Sequence, residues 1–474
     1  MKTGIAVFIF VGLSIISFAQ SQTPSRPNIL VIMADDMSLN AGAYGDKTIS
    51  TPGIDSLAKD GFLFNNAYCT ASSCSPSRAS ILTGRYPHQL GEGGNLWGTV
   101  PTVYPNYTRL LAGTGYRIGL EGKGWGPGDF TAGGYTENPA GPADKTFEQF
   151  INEQDVNQPF CFWIGSYDPH RPYKPELKNT VQFDESALKV PVWIPDNDDV
   201  RNDLKDYYAA VKRFDGTVVK AIQLLKAKGL YDNTLIIVTS DNGMPFPRVK
   251  ANNYEASTNI PLVMRYGKKF MNGKKTDALV SLIDLAPTIL QVAGIPVPEQ
   301  MTGKSILPLL KYGKMEERYN TVYTERERHA KVRANSIGYP IRAIRTKSFI
   351  YINNIIPARW PAGDPDFMQG TGPYGDIDNG PAKKYIVDHQ YDPALKDFVT
   401  WSLAKRPAVE LYDLKNDPFQ LKNLADDPKY SKIKRELSDK LVLWRQKTQD
   451  PLLNSETDIF DTYPFHYITP QKVK

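Results

Sequence analysis

The chain has 474 residues, 41% of them hydrophobic and 11% aromatic, which fits a soluble globular protein with two domains rather than one. Its formal charge of +5 is too modest to point to nucleic acid as a partner. Three cysteines, Cys69, Cys74 and Cys161, are too few for a disulfide framework, and a Cys69–Cys161 bridge and two free buried thiols are both open.

The N-terminus reads as a secretory signal over residues 1–19. Lys2 is the charged start, Ile5 to Phe18 is a short apolar stretch, and Ser17-Phe18-Ala19 offers small residues at a cleavage point. A buried first strand or a membrane anchor is the alternative. No cysteine near the cut invites a lipid anchor, and no later segment has the run of about 18 apolar residues that spans a bilayer. The expectation is an exported protein, periplasmic or secreted, without a membrane anchor.

Asn28 to Ala34 is a continuous apolar run with β-branched residues, as in a strand buried on both faces of a parallel sheet. Asp35-Asp36 follows at once. Asp55 to Lys59 belongs to a helix. Cys74-Ser75-Pro76-Ser77-Arg78 leads into Ala79-Ser80-Ile81-Leu82-Thr83-Gly84-Arg85, with a helix expected from near Ser77. Glu121-Gly122-Lys123-Gly124-Trp125 opens a Gly-rich loop that runs to Gly134. Phe160 to Gly165 is a second buried strand, ahead of Tyr167-Asp168-Pro169-His170. Asn202 to Lys228 is a long amphipathic helix. Leu235 to Thr239 is a third buried strand, followed by Ser240-Asp241-Asn242-Gly243, and Leu282 to Val292 is helical.

After about residue 335 the texture changes. Ile341 to Ala343 and Ser348 to Asn353 read as paired short strands, Glu410 to Leu414 as another, and Ser431 to Thr448 as a closing helix. Pro361 to Gly380 is a Gly- and Pro-rich loop. The fold class is α/β: a large domain over 20–335 with a mostly parallel sheet, then a smaller C-terminal α+β subdomain over 336–474 with an antiparallel sheet.

Ligands of open α/β sheets gather beyond the carboxyl ends of the strands, where three strands here present polar residues. Asp35, Asp36, Asp241 and Asn242 offer oxygen ligands and no imidazole, which suits Ca²⁺ or Mg²⁺. Plain turns and helix caps are the competing reading. From Arg326 to Lys347 there are seven Lys or Arg residues and one acid. Beside an active site such a cluster would draw in a polyanion; otherwise it is a solvated face.

The run from Cys74 to Arg85 resembles the signature of the type I sulfatases. In that family the cysteine is converted to formylglycine, whose hydrate is the nucleophile. The resemblance implies an alkaline-phosphatase-like large domain and sulfate-ester hydrolysis. It also implies one Ca²⁺ held by Asp35, Asp36, Cys74, Asp241 and Asn242, and a maturation enzyme that modifies Cys74. It assigns Arg78 to the formylglycine oxygens, Lys123 and Lys250 to the sulfate, and His170 to the leaving oxygen. The family commonly has Gly-Lys-x-His where this chain has Lys123 and then Trp125.

Thr239 to Pro247, Ser73 to Leu82 and Ser336 to Arg342 resemble the heparan N-sulfatase (sulfamidase) branch, over a span from Arg26 to Asp450. Lys250 replaces an arginine of that branch and Glu255 a tryptophan, both expected near the sulfate or sugar. Arg326, Arg328, His329 and Arg342 fall in the segment that lines the family's pocket and are expected to touch substrate. The implied substrate is a sulfated carbohydrate, with algal ulvan ahead of N-sulfoglucosamine. A phosphatase or phosphodiesterase of the same fold and a non-catalytic polyanion-binding protein are the rivals.

Overall fold

The computed structural model describes residues 26–155, 157–174, 176–367, 371–455 and 457–467. The proposed signal segment lies outside them.

Eight strands build the large sheet: β1 (Asn28–Ala34), β2 (Phe62–Tyr68), β3 (Arg117–Gly122), β4 (Phe160–Gly165), β5 (Thr234–Ser240), β6 (Asn259–Arg265), β7 (Lys274–Thr276) and β8 (Val280–Ser281). Their order is β3-β4-β1-β5-β6-β2-β7, with β8 also on β2. β1 runs parallel to β4 and β5, and β3 runs parallel to β4. Among the described residues only β6 is reversed in this sheet, antiparallel to both β5 and β2.

The middles of the central strands β1 and β5 are apolar on both faces because both faces are covered. Ile29, Val31, Met33, Leu235 and Ile237 join one core; Leu30, Ile32, Ile236 and Val238 join the other. The second core is closed by the Asp198–Ala227 helix through Leu204, Tyr208, Val211, Phe214 and Val218. A side chain removed here would leave a cavity and lose about 2–5 kcal/mol.

β9 (Thr321–Arg326), β10 (Ile341–Thr346), β11 (Phe349–Asn354) and β12 (Val409–Asp413) form a separate antiparallel sheet in the order β12-β11-β10-β9. Alternation sorts its faces. Ile344, Tyr351 and Leu411 pack on Leu437, Leu441 and Trp444 of the Ser431–Lys447 helix. Ile341, Ala343, Ile350 and Ile352 pack with Tyr254. β9 lies before residue 335, so the second sheet begins earlier in the chain than the change of texture indicates. Its Glu325 N–H donates to Thr70 O (2.7 Å), just ahead of Cys74.

Candidate active site

Four strand ends and one helix start meet at a single edge of the large sheet. Asp35-Asp36 follow β1, Lys123 follows β3, His170 follows β4 and Asp241-Asn242 follow β5. β2 shares their direction, and the loop after it delivers Cys74. That loop is pinned by Cys69 N–H to Thr258 O (3.0 Å) and Ala251 N–H to Ser72 O (3.0 Å). Close approach also fixes Lys123: its N–H donates to Gly165 O (2.8 Å), and a Cβ on Gly165 would lie 1.7 Å from Lys123 O.

The helix spans Cys74–Thr83, so it starts at the cysteine itself and not near Ser77. Cys74 therefore sits in the first turn, where the partial positive charge of the helix is concentrated. All ten residues of this helix are buried. Ser77 Oγ donates to Asp241 O (2.6 Å), which ties the helix to the end of β5.

Charges alternate around the Cys74 thiol. Sγ lies 3.6 Å from Asp35 Oδ1, 3.9 Å from Asp36 Oδ1 and 3.7 Å from Lys250 Nζ. Arg78 Nε donates to Asp241 Oδ2 (2.7 Å), and its Nη1 donates to the carbonyls of Lys123 (2.7 Å) and Gly124 (2.9 Å). Lys123 Nζ holds both Asp35 oxygens, at 2.8 and 2.7 Å. Lys250 Nζ pairs with Asp36 Oδ1. His170 Nε2 stands 3.6 Å from Asp36 Oδ2 on the open side, with its side chain 32% exposed.

Burial alone would raise the Asp35 carboxyl, but Lys123, His170 and Arg78 outweigh it and hold it at about 2. Burial pushes the Cys74 thiol well above its ordinary range, against the pull of Lys123 and Lys250. An unmodified Cys74 is therefore a neutral thiol and a weak nucleophile.

The donor set fits a hard cation. The ligand atoms of Asp35, Cys74 and Asp241 lie within 4.8 Å of one another, as do those of Asp36, Cys74 and His170. Asp36 Oδ2 and Asn242 Oδ1 are buried acceptors with no hydrogen bond. Asp36 also holds a positive φ of 69°, a strained conformation for a non-glycine residue. Its N–H donates to Asp241 Oδ1 (3.0 Å), which locks the two acidic loops together.

Residues 27–295 match the family model described as Sulfatase, and residues 249–359 match that of the N-sulphoglucosamine sulphohydrolase C-terminal region. The chain is 31% identical to human N-sulphoglucosamine sulphohydrolase, over 90% of this chain and 91% of that protein. The chain belongs to the sulfatase family. An ulvan-active sulfatase of Formosa agariphila is 30% identical, over 91% of this chain and 82% of that one. In fold, this sulfatase superposes on a putative sulfatase from Bacteroides fragilis with a TM-score of 0.68 at 21% identity, covering 93% of this chain and 99% of that one. The architecture is the alkaline-phosphatase-like one.

Not every residue singled out in the sequence of this sulfatase reaches Cys74. Arg326 is buried, pairs with Asp376, and donates to Pro361 O (2.9 Å). Arg328 lies 3.8 Å over the Phe465 ring and donates to Pro464 O (3.1 Å). Arg342 is fully buried and binds Glu327 (2.6 Å) and Asp450 (2.8 Å). All three guanidiniums are engaged by internal partners rather than by the groups around Cys74, though Arg326 Nε and Arg328 Nε carry no hydrogen bond. His329 stays beside the site, with Nδ1 2.8 Å from Ser73 Oγ, and burial lowers it to about 3, so the ring is neutral.

Glu255 holds Arg345 (3.1 Å) and accepts from Tyr68 OH (2.6 Å). It lines a largely apolar cavity of about 690 Å³ with Trp193, Met244 and Phe419. Its carboxylate is thus engaged by Arg345 and Tyr68 and not by a group of the Cys74 cluster. Trp125 is buried and donates from Nε1 to Ser75 O (3.1 Å), so it brings no titratable group. Cys69 and Cys161 are free and buried.

Asp378 escaped the sequence reading. It lies 3.8 Å from Lys250 Nζ, on the Pro361–Gly380 loop. Its only signal was acidity within that loop, 128 positions beyond the lysine it faces.

Proposed function

We propose that this sulfatase releases sulfate from O-sulfated sugars of a polysaccharide fragment, with ulvan oligosaccharides as the leading substrate. The observation that carries the reading is the convergence of Arg78, Lys123 and Lys250 on the acidic residues around Cys74. The 30% identity to an ulvan-active sulfatase supports the substrate class. Similarity to the human N-sulphoglucosamine sulphohydrolase makes N-sulfoglucosamine the second reading.

A formylglycine at position 74, made from the cysteine by a maturation enzyme, would supply a hydrated aldehyde as nucleophile and let sulfate leave without attack by water on sulfur. One Ca²⁺ would be held by Asp35, Asp36, Asp241, Asn242 and residue 74, and would supply Lewis acidity toward the sulfate oxygens. Arg78 is anchored by Asp241 and two carbonyls, so it orients charge at residue 74 without reorganising. Lys123 and Lys250 reach the same spot and balance negative charge on the sulfuryl group. His170 stands on the open side and gives a proton to the departing sugar oxygen. Buried walls behind Cys74 exclude bulk water. Export to the periplasm or the medium is part of the proposal; among the described residues no helix is long and apolar enough to cross a membrane.

The test is sulfate release from ulvan oligosaccharides and from heparin-derived saccharides, measured side by side with Cys74→Ala as control. Release from ulvan that vanishes in Cys74→Ala is the expected result. Release confined to N-sulfoglucosamine overturns the substrate. Full turnover by Cys74→Ala overturns the mechanism.

A further inference from the structure

Asp378 is held at the site by a braced span of chain. On one side Asp376 is buried and clamped by Arg326 and Arg333. On the other, Lys383 Nζ donates to Ile377 O (2.9 Å) and Asn379 Oδ1 (3.0 Å). The side chain of Asp378 is 21% exposed, and its Oδ2 is buried without a hydrogen bond.

The polar groups around this carboxylate are committed elsewhere. Lys250 is hydrogen-bonded to Asp36 and stays 3.8 Å from Asp378, beyond hydrogen-bond length. Arg171 grips Asp203 with two bonds, at 2.5 and 2.8 Å. His329 is bonded to Ser73. Burial alone would raise the Asp378 carboxyl, but Lys250 first, with His170 and Arg171, keeps it below the usual range. It is an anion with an unpartnered acceptor oxygen and a partly exposed side chain, beside Lys250 and within the field of His170.

An ionised carboxylate can only accept hydrogen bonds. A ligand that satisfies it must donate, and a second sulfate or a uronate there would be repelled. We propose that Asp378 is a specificity-determining residue whose carboxylate accepts hydrogen bonds from free hydroxyls on the ring carbons next to the sulfated one. The inference rests on the sulfatase reading above and narrows it: the enzyme takes a sulfated sugar with unsubstituted neighbouring hydroxyls. A counterion role for Asp378 toward Lys250 is the competing account, and it predicts no dependence on those hydroxyls.

The experiment uses the matured, calcium-loaded enzyme and two probes: a sulfated monosaccharide, and its analogue with the neighbouring hydroxyls replaced by hydrogen. kcat/KM is measured for both probes with wild type, Asp378→Asn and Asp378→Ala. Wild type is expected to prefer the hydroxylated probe by about 10- to 100-fold, the range for hydrogen bonds to a charged group. Both variants are expected to lose that preference while binding and turnover of the hydroxylated probe weaken. A preference equal in wild type and variants overturns the proposal, as does a wild type that treats the probes alike. Absence of sulfate release from any saccharide by wild type overturns the parent reading, and this one with it.

Discussion

His170 stands on the solvent side of the residue 74 cluster, with Nδ1 bound to Arg171 O and Nε2 3.6 Å from Asp36 Oδ2. A sugar alkoxide is a poor leaving group and needs a proton; a phenolate does not. His170→Ala is therefore expected to lower kcat on sugar sulfates by about 10²- to 10⁴-fold, the usual weight of general acid catalysis. The loss on an aryl sulfate is expected to be clearly smaller. Steady-state rates on the two substrates decide it, and equal losses would remove His170 from the acid role. The residues that meet here come from positions as far apart as 35 and 250; Asp35, Asp36, Asp241 and Asn242 were legible because they directly follow apolar strands and Arg78 because it sits in the Cys74 run, whereas Lys123 and Lys250 were reached only through the family resemblance. Asp378 was not, since nothing near it in sequence announces a site.

At the scale of elements, Asp376 joins β9 to the loop that carries Asp378. Burial would raise its carboxyl, but Arg333 and Arg326 outweigh it and hold it at about 2, below the ordinary 3.8. A depressed carboxyl contributes stability that is complete above about pH 4 and is lost as the pH falls toward 2. Asp376→Asn leaves two buried guanidiniums unpaired and is expected to lose about 3–5 kcal/mol in urea unfolding at neutral pH. Between pH 4 and 2 the variant is expected to lose stability less steeply than wild type. Parallel pH profiles would contradict that origin of the ion pair's strength. The same pairs explain why the basic run from Arg326 to Lys347 misleads when read as sequence. Its partners Asp376, Asp450 and the Asp461 carbonyl lie 50, 108 and 133 positions away from the arginines they serve. Local charge shows excess; only the fold shows that it is neutralised. The Cys74–Thr83 helix was blurred for another reason: it is buried all round, and its polar and apolar residues are mixed on every side, so no amphipathic period marks its start.

Across the whole molecule, the two sheets are fastened near the site. His88 Nδ1 lies 2.6 Å from Glu325 Oε2, and Arg345 reaches Glu255 (3.1 Å). Both sheets were foreseen, since alternation and apolar runs are local signals. The start of the second at β9 was not, because Thr321–Arg326 reads as a strand only once β10 pairs with it. Asp35, Asp36, Asp241 and Asn242 come from two separate loops, so a cation shared among them would tie β1 to β5. Binding to the folded state alone stabilises by mass action, about 2.7 kcal/mol at a hundredfold excess over Kd. The melting temperature is expected to rise with added Ca²⁺ and to fall after chelation, and metal analysis is expected to find one calcium per chain. A melting temperature blind to calcium, or two bound zinc ions, would contradict the proposed metal site and favour a phosphatase.

The most direct measurement is the mass of the peptide that carries residue 74, taken from active protein made with its maturation enzyme. The account predicts the aldehyde of formylglycine or its hydrate, in a fraction that tracks sulfate release. Fully active protein with an intact Cys74 thiol would contradict it.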